Sequence, residues 1–244
     1  MKCCKIIIVL LLIASAVHGQ VKKQIDIPMQ YDKYKQREDT GFDYKYITKK
    51  VNDSKLADLR LSTQQFHLRI WSERDVVDIW CDDNKVYYGE FVDFIYGDKI
   101  KKSENKQYNY KNGLVYWSKS IDTAMATQII RIMDSLDIFS IPSSDTIAGW
   151  GKPDANGQLM SVADGECFWV EYSTPQKYIL RDYCNPDIYK NVKEAVAINE
   201  MLLRLKHILN LRDAWETFER GLPEGDYSTG DVQINVERTK ARRK

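Results

Sequence analysis

Three stretches between Phe66 and Tyr96 constrain the fold more than any other part of the chain. In Phe66-His67-Leu68-Arg69-Ile70-Trp71, apolar side chains recur with a period of two, the pattern of a strand covered on one face. Residues 76–81 repeat it, with Val77, Ile79 and Cys81 on one side. Asp82-Asp83-Asn84-Lys85 follows, and Asp and Asn accept the backbone angles of tight turns. Residues 86–96 continue as a long strand. Strands joined so tightly pair antiparallel, so this region predicts a hairpin.

The pattern extends downstream. Residues 107–117 predict one or two strands around Asn112-Gly113, a strong hairpin turn. Ile121, Met125, Ile129, Ile132 and Leu136 recur at helical spacing, which predicts a helix over 121–137 capped by Ser120. Residues 166–173 and 177–183 form a second β-rich pair around Thr174-Pro175-Gln176. Asn185-Pro186 predicts a helix start. Ala195, Ile198, Leu202, Leu205 and Leu209 stripe the helix running to about residue 210. A shorter helix, 211–220, ends at Gly221 with Pro223 beyond. The expected class is α+β: an antiparallel sheet built from hairpins, packed with one central and one or two C-terminal helices.

The ends differ in character. Lys2 and Lys5, an apolar run over 6–17 and Gly19 before Gln20 read as a secretory signal peptide over 1–19. Twelve apolar residues fall short of the ~20 that span a membrane. Cys3 and Cys4 precede the run, which is the wrong place for a lipid anchor. Cleavage before Gln20 gives a secreted or periplasmic chain with no transmembrane segment. Residues 20–58 read as a polar arm or linker, with an extended piece near 44–47. Residues 59–221 read as a single α+β domain and 222–244 as a disordered tail ending in basic residues.

Without residues 1–19, the 36 basic residues fall to 34 against 35 acidic, a net charge of −1. This balance gives no reason to expect a nucleic-acid partner. Three cysteines remain: Cys81, Cys167 and Cys184. If Pro175-Gln176 is a two-residue loop, paired positions sum to 351 and Cys167 faces Cys184. That pair falls on a non-hydrogen-bonded site, where Cα atoms approach to ~4.5 Å, within disulfide range. Pro175 opposes this, because it cannot take the first position of the primed turns that two-residue hairpins prefer. Cys81 reads as a core residue.

Few residues point to chemistry. After cleavage, His67 and His207 are the only histidines, and no zinc spacing surrounds them. No metal and no cofactor are expected. Ser103-Glu104-Asn105-Lys106 matches Ser-x-x-Lys without its partner motifs and reads as surface. Asp154-Ala155-Asn156-Gly157 reads as a turn, because a calcium loop's distal glutamate is missing. Asp75, Asp78, Glu90, Glu166 and Glu171 are candidates for a glycosidase pair, although most such side chains are simply solvated.

Tryptophans are the more suggestive feature. Trp71 shares a strand face with His67 and Arg69, and Trp80 shares one with Asp78. Together these five residues would make an aromatic-polar platform unless a second layer covers them, and large aromatics are buried on average. Trp150, in the glycine-rich loop 149–165, is the tryptophan expected to be most exposed, with plugging of the core edge as its alternative.

Leu68-Arg69-Ile70-Trp71, the stretch from Ile141-Pro142 to Gly149-Trp150, Glu171-Tyr172-Ser173-Thr174-Pro175 and Tyr183-Cys184-Asn185-Pro186 resemble segments of secreted bacterial proteins of unknown function whose signals are cleaved before glutamine. The resemblance covers residues 66–215. It implies an exported globular protein and supplies no catalytic residue. The expectation is a non-catalytic domain that binds a protein or glycan of the cell envelope or extracellular space. The alternatives are a carboxylate-dependent, glycan-directed hydrolase and a secreted inhibitor or immunity-type protein using loop 149–165.

Overall fold

The computed structural model describes residues 23–32, 37–98, 100, 108–151, 165–229 and 233–237. The signal region, the Ser-x-x-Lys match at 103–106, residues 152–164 of the glycine-rich loop and the basic residues 238–244 lie outside them.

The fold is α+β, and its main sheet is mixed. In chain order come β1 (Gln24–Asp26), β2 (Met29–Asp32), β3 (Arg37–Thr40) and helix α1 (Phe42–Ser54). Next are β4 (Phe66–Trp71), β5 (Asp75–Cys81), β6 (Tyr87–Asp98), β7 (Asn109–Lys111) and β8 (Leu114–Ile121). Helix α2 (Thr123–Ser135), β9 (Cys167–Ser173) and β10 (Lys177–Cys184) follow. The last elements are α3 (Lys193–Ile208), α4 (Leu211–Gly221), β11 (Gly225–Ser228) and β12 (Gln233–Val236).

Strand order is β1-β10-β9-β4-β5-β6-β11-β12, with β8 also beside β6 and β7 beside β8; β2 and β3 form a separate pair. The hairpin-linked strands are antiparallel as expected. The all-antiparallel expectation fails at one edge. There β1, from the segment read as an arm, pairs parallel with β10.

Period-two alternation divides the side chains between two layers. On the first face, Leu68, Ile70, Val77, Ile79, Phe91 and Val170 pack on Ile129 and Met133 of α2 and on Ile198 and Leu205 of α3. Each such burial stabilises by about 1.5–3 kcal/mol. On the second face, Trp71, Val76, Val92, Phe94, Trp169 and Leu180 meet Ile47 and Val51 of α1. A third cluster joins α4 to the sheet through Ile95, Val115, Trp215, Phe218 and Tyr227.

Several boundaries differ from expectation. Ser120 stays in β8, and Asp122 caps α2 by accepting the Met125 N–H at 2.8 Å. Asn185 adopts a left-handed conformation, φ 53°, so the chain turns before α3 begins at Lys193. Within the segment read as an arm, residues 42–54 form a helix and not an extended piece. Its buried positions are Ile47, Lys50, Val51, Asp53 and Ser54. Three of these five are polar, which hides the apolar stripe. The segment expected as a disordered tail places β11 beside β6 and β12 beside β11, anchored by buried Tyr227.

The second hairpin keeps the sum-351 register from Tyr178↔Ser173 to Cys184↔Cys167. Cys167 and Cys184 form a disulfide with Cα atoms 4.1 Å apart. Thr174 explains how Pro175 is tolerated. Its Oγ1 accepts the Lys177 N–H at 3.1 Å, and its own N–H reaches the Lys177 carbonyl at 2.8 Å. The side chain thus replaces the backbone acceptor of a primed turn. Closing a loop of this length removes about 3 kcal/mol of denatured-chain entropy. Cys167→Ala/Cys184→Ala is therefore expected to lower unfolding stability by about that amount. An unchanged urea midpoint would count against the bridge as a stabilising element. Cys81 is a free, buried thiol.

Candidate functional site

The residues expected to form a platform occupy the second sheet face, where register arranges them in rows. One row runs Ser173–His67–Trp80–Tyr88 and the next Glu171–Arg69–Asp78–Glu90–Ser120. A third runs Trp169–Trp71–Val76–Val92–Ser118. Most of the expected platform is buried. His67 is 6% exposed, Asp78 3%, and Arg69 and Trp71 0%. The turn at Leu59–Leu61 and helix α1 supply the covering layer. Only Trp80 keeps partial exposure.

Within that layer the charged groups face one another. His67 Nε2 lies 2.7 Å from Asp78 Oδ1, and Arg69 Nη2 lies 3.0 Å from Asp78 Oδ2. Glu171 accepts from Trp71 Nε1 at 2.9 Å and from the Tyr178 hydroxyl at 3.0 Å, with Arg69 Nη1 3.9 Å away. Yet no guanidinium nitrogen of Arg69 makes an aligned hydrogen bond among the described residues. Burial pushes Asp78 upward, but the Arg69 charge and the His67 hydrogen bond outweigh it and hold the carboxyl below its usual range. Burial dominates at Glu171, whose carboxyl is raised. This closed network holds charges without offering them to a ligand.

Trp150 is buried at the core edge and not exposed. It is 2% exposed, donates from Nε1 to the Cys184 carbonyl at 2.8 Å, and packs between the rings of Tyr183 and Tyr189. It plugs the core beside the disulfide. His207 is exposed on α3.

A cleft of about 650 Å³ opens on the opposite sheet face, between the β4–β5 turn, the start of β9, α3 and α4. Ile70, Val77, Phe168, Leu202, Leu205 and Leu211 make its apolar walls. Three cations come from three elements. Arg74 lies over the Trp215 ring at 4.9 Å. Lys206 lies 5.6 Å from the Phe168 ring and 3.2 Å from Glu166 Oε2. Arg212 pairs with Glu216 at 3.1 Å. Arg74 forms no ion pair among the described residues.

Acids also gather here. Asp75 lines the cleft and stands opposite Asp93 in the β5–β6 register. Burial raises Asp75, against the Ser72 hydrogen bond and the charges of Arg74 and Lys50. Asp93 is fully buried and pushed up to about 7, first by desolvation, with the Asp75 charge adding to it and the Trp117 hydrogen bond opposing it. Trp117 Nε1 donates to its Oδ2 at 2.6 Å, and its Oδ1 has no hydrogen-bond partner among the described residues. No group of three or more metal-ligating side chains forms among the described residues, and no helix there is long and apolar enough to cross a membrane.

No protein-family model, curated protein or solved structure matches this chain. The functional reading therefore rests on the geometry of its own residues. Of the five candidate carboxylates, Asp78 and Glu171 are locked in the buried network and Glu90 lies at its outer edge. Asp75 and Glu166 line the cleft. Arg74, Lys206, Arg212 and Trp215 had no mark in the sequence. Each sits in an ordinary turn or helix, and only the packing of α3 and α4 brings them together.

Proposed function

We propose that this chain is an exported, non-catalytic binding domain of the cell envelope or extracellular space, and that the cleft beneath α3 and α4 takes up an amphipathic ligand. The observation that carries this reading is the pairing of apolar walls with Arg74, which lies over Trp215 and has no ion-pair partner among the described residues. A cavity of 300–1,000 Å³ with apolar walls and few polar groups is the usual form of a ligand site. Lys206 and Arg212 already have carboxylate partners, so Arg74 is the group left to receive an anionic head while the walls bury an apolar body. The disulfide fits an oxidising compartment.

The test uses 1-anilinonaphthalene-8-sulfonate, which combines an apolar body with an anion. Saturable binding is expected, with fluorescence enhancement lost in Leu211→Arg, at a partly buried position of the cleft wall. In Arg74→Gln the affinity should fall by about tenfold, the order of one charge-assisted hydrogen bond. Equal binding by folded wild type and both variants would remove the cleft from consideration.

A second reading is a carboxylate-dependent, glycan-directed hydrolase. It is favoured by Asp75 and Glu166 lining one cleft, with Asp75 held toward its protonated form. Release of reducing ends from a glycan panel by wild type but not by Asp75→Asn would establish it over the binding reading. The inhibitor reading depends on loop 149–165, most of which lies outside the described residues.

A further inference from the structure

The cover over the second sheet face stops partway across it. In each row, exposure rises from β9 toward β8. Ser173, Glu171, His67, Arg69 and Asp78 are buried; Trp80 and Glu90 are partly exposed; Tyr88, Ser118 and Ser120 are exposed. Here β5, β6 and β8 show their side chains outward. Trp80 and Tyr88 are register neighbours whose rings stack, with centroids 6.4 Å apart and planes 22° from parallel, and Tyr88 is the outer, exposed member of the pair. His67 backs Trp80 at 6.1 Å. Glu90 sits in the next row, with Asp78 on one side and Ser120 on the other.

The charges of this patch do not cancel locally. Arg69 lies against Asp78 and is fully buried. Glu90 forms no ion pair among the described residues. Burial and the Asp78 charge both act against its ionised form and together outweigh the Ser118 hydrogen bond and the more distant Arg69 charge that favour it. A positive charge placed beside Glu90 would relieve this. Aromatic faces add to the attraction, because a cation within ≈6 Å of a Trp or Tyr ring is drawn to its negative face. The patch is flanked by the exposed hydroxyls of Ser118 and Ser120, which suit a sugar ring carrying its own hydroxyls. A lysine stem would make no use of them.

From this geometry we infer that Trp80, Tyr88 and Glu90, with Ser118 and Ser120 beside them, form a saccharide site selective for amino sugars: the C–H face of the ring stacks on Trp80 and Tyr88, and its ammonium pairs with Glu90. The site lies on the opposite sheet face from the cleft and stands whether or not the cleft binds a ligand.

A glucosamine hexamer, titrated with its amino groups protonated, is the probe. It should perturb tryptophan fluorescence saturably, with affinity falling as salt rises. Glu90→Gln, which keeps the side-chain shape, and Tyr88→Ala, at an exposed position, should each weaken binding by about tenfold. The fully N-acetylated hexamer, which lacks the charge, should bind weaker by a similar factor. Undiminished binding by Glu90→Gln, equal or tighter binding of the N-acetylated hexamer, or tighter binding of a lysine hexapeptide would each overturn the inference.

Discussion

Arg69→Ala is expected to destabilise the protein by about 3–5 kcal/mol, the usual cost of removing one partner from a buried ion pair. Arg69 is fully buried between Asp78 and Glu171, themselves only 3% exposed. The two carboxylates will not respond alike. Glu171 is already pushed upward by burial, so it neutralises by taking a proton. Asp78 is held below its usual range chiefly by the Arg69 charge, so removing that charge leaves burial to push it upward from a lower starting point. The loss should therefore be largest near neutral pH and shrink as acid protonates Asp78. Urea unfolding at pH 7 and pH 4 measures both quantities. A loss below about 1 kcal/mol, as for exposed pairs, would show that water reaches the network.

The same network predicts a partial rescue. Because the guanidinium lacks aligned hydrogen bonds, the intact pair is imperfectly compensated. Replacing both members by apolar residues removes the stranded charge as well as the attraction. Arg69→Met/Asp78→Leu should thus be more stable than Arg69→Ala alone. The double-mutant coupling should lie within the 0.5–3 kcal/mol seen for residues in contact.

Local patterns were legible in the sequence and non-local ones were not. The β4–β5–β6 meander follows from period-two alternation and one Asp/Asn turn. The disulfide follows from counting back from Thr174, with the hydroxyl of Thr174 resolving the conflict that Pro175 posed. Helix α1 escaped because Lys50 and Ser54 occupy its buried side: Lys50 is covered by the rings of Tyr46 and Phe94 and bonded to the Glu73 carbonyl. Once α1 is missed, the second sheet face appears open, and His67, Arg69, Trp71 and Asp78 look like a surface. Their burial depends on sheet order as well. Glu171 reaches Arg69 only because β9, about a hundred residues later, inserts beside β4. The cleft depends on how α3 and α4 pack, which no local pattern encodes.

Unfolding stability is expected to show two opposite pH limbs that meet near neutrality, one from Asp93 and one from Lys50. Asp93 is raised by desolvation from an ordinary value near 3.8 to about 7. Below pH 4 it is protonated whether folded or not, and it costs nothing. Between pH 4 and 7 the unfolded chain loses this proton while the fold retains it, so stability falls as pH rises and stays reduced above 7. Lys50 is lowered, again by desolvation, from 10.5 to about 7. Here stability is greatest above pH 10.5, falls as pH drops toward 7, and stays reduced below it. Each shift corresponds to on the order of 4 kcal/mol at full effect. Other carboxylates contribute on the acid side: Asp26, Asp58 and Asp78 are all lowered by cationic partners and favour the fold above their own range. The clean readout is therefore the difference between variant and wild type. Asp93→Asn, which keeps an acceptor for Trp117, should gain stability over wild type only as pH rises from 4 to 7. Lys50→Met should gain it only as pH falls from 10 to 7, reduced by the loss of the bond to the Glu73 carbonyl. Flat difference curves across both windows would mean that these side chains are hydrated in solution and that the contact between α1 and the sheet is looser than its packing indicates.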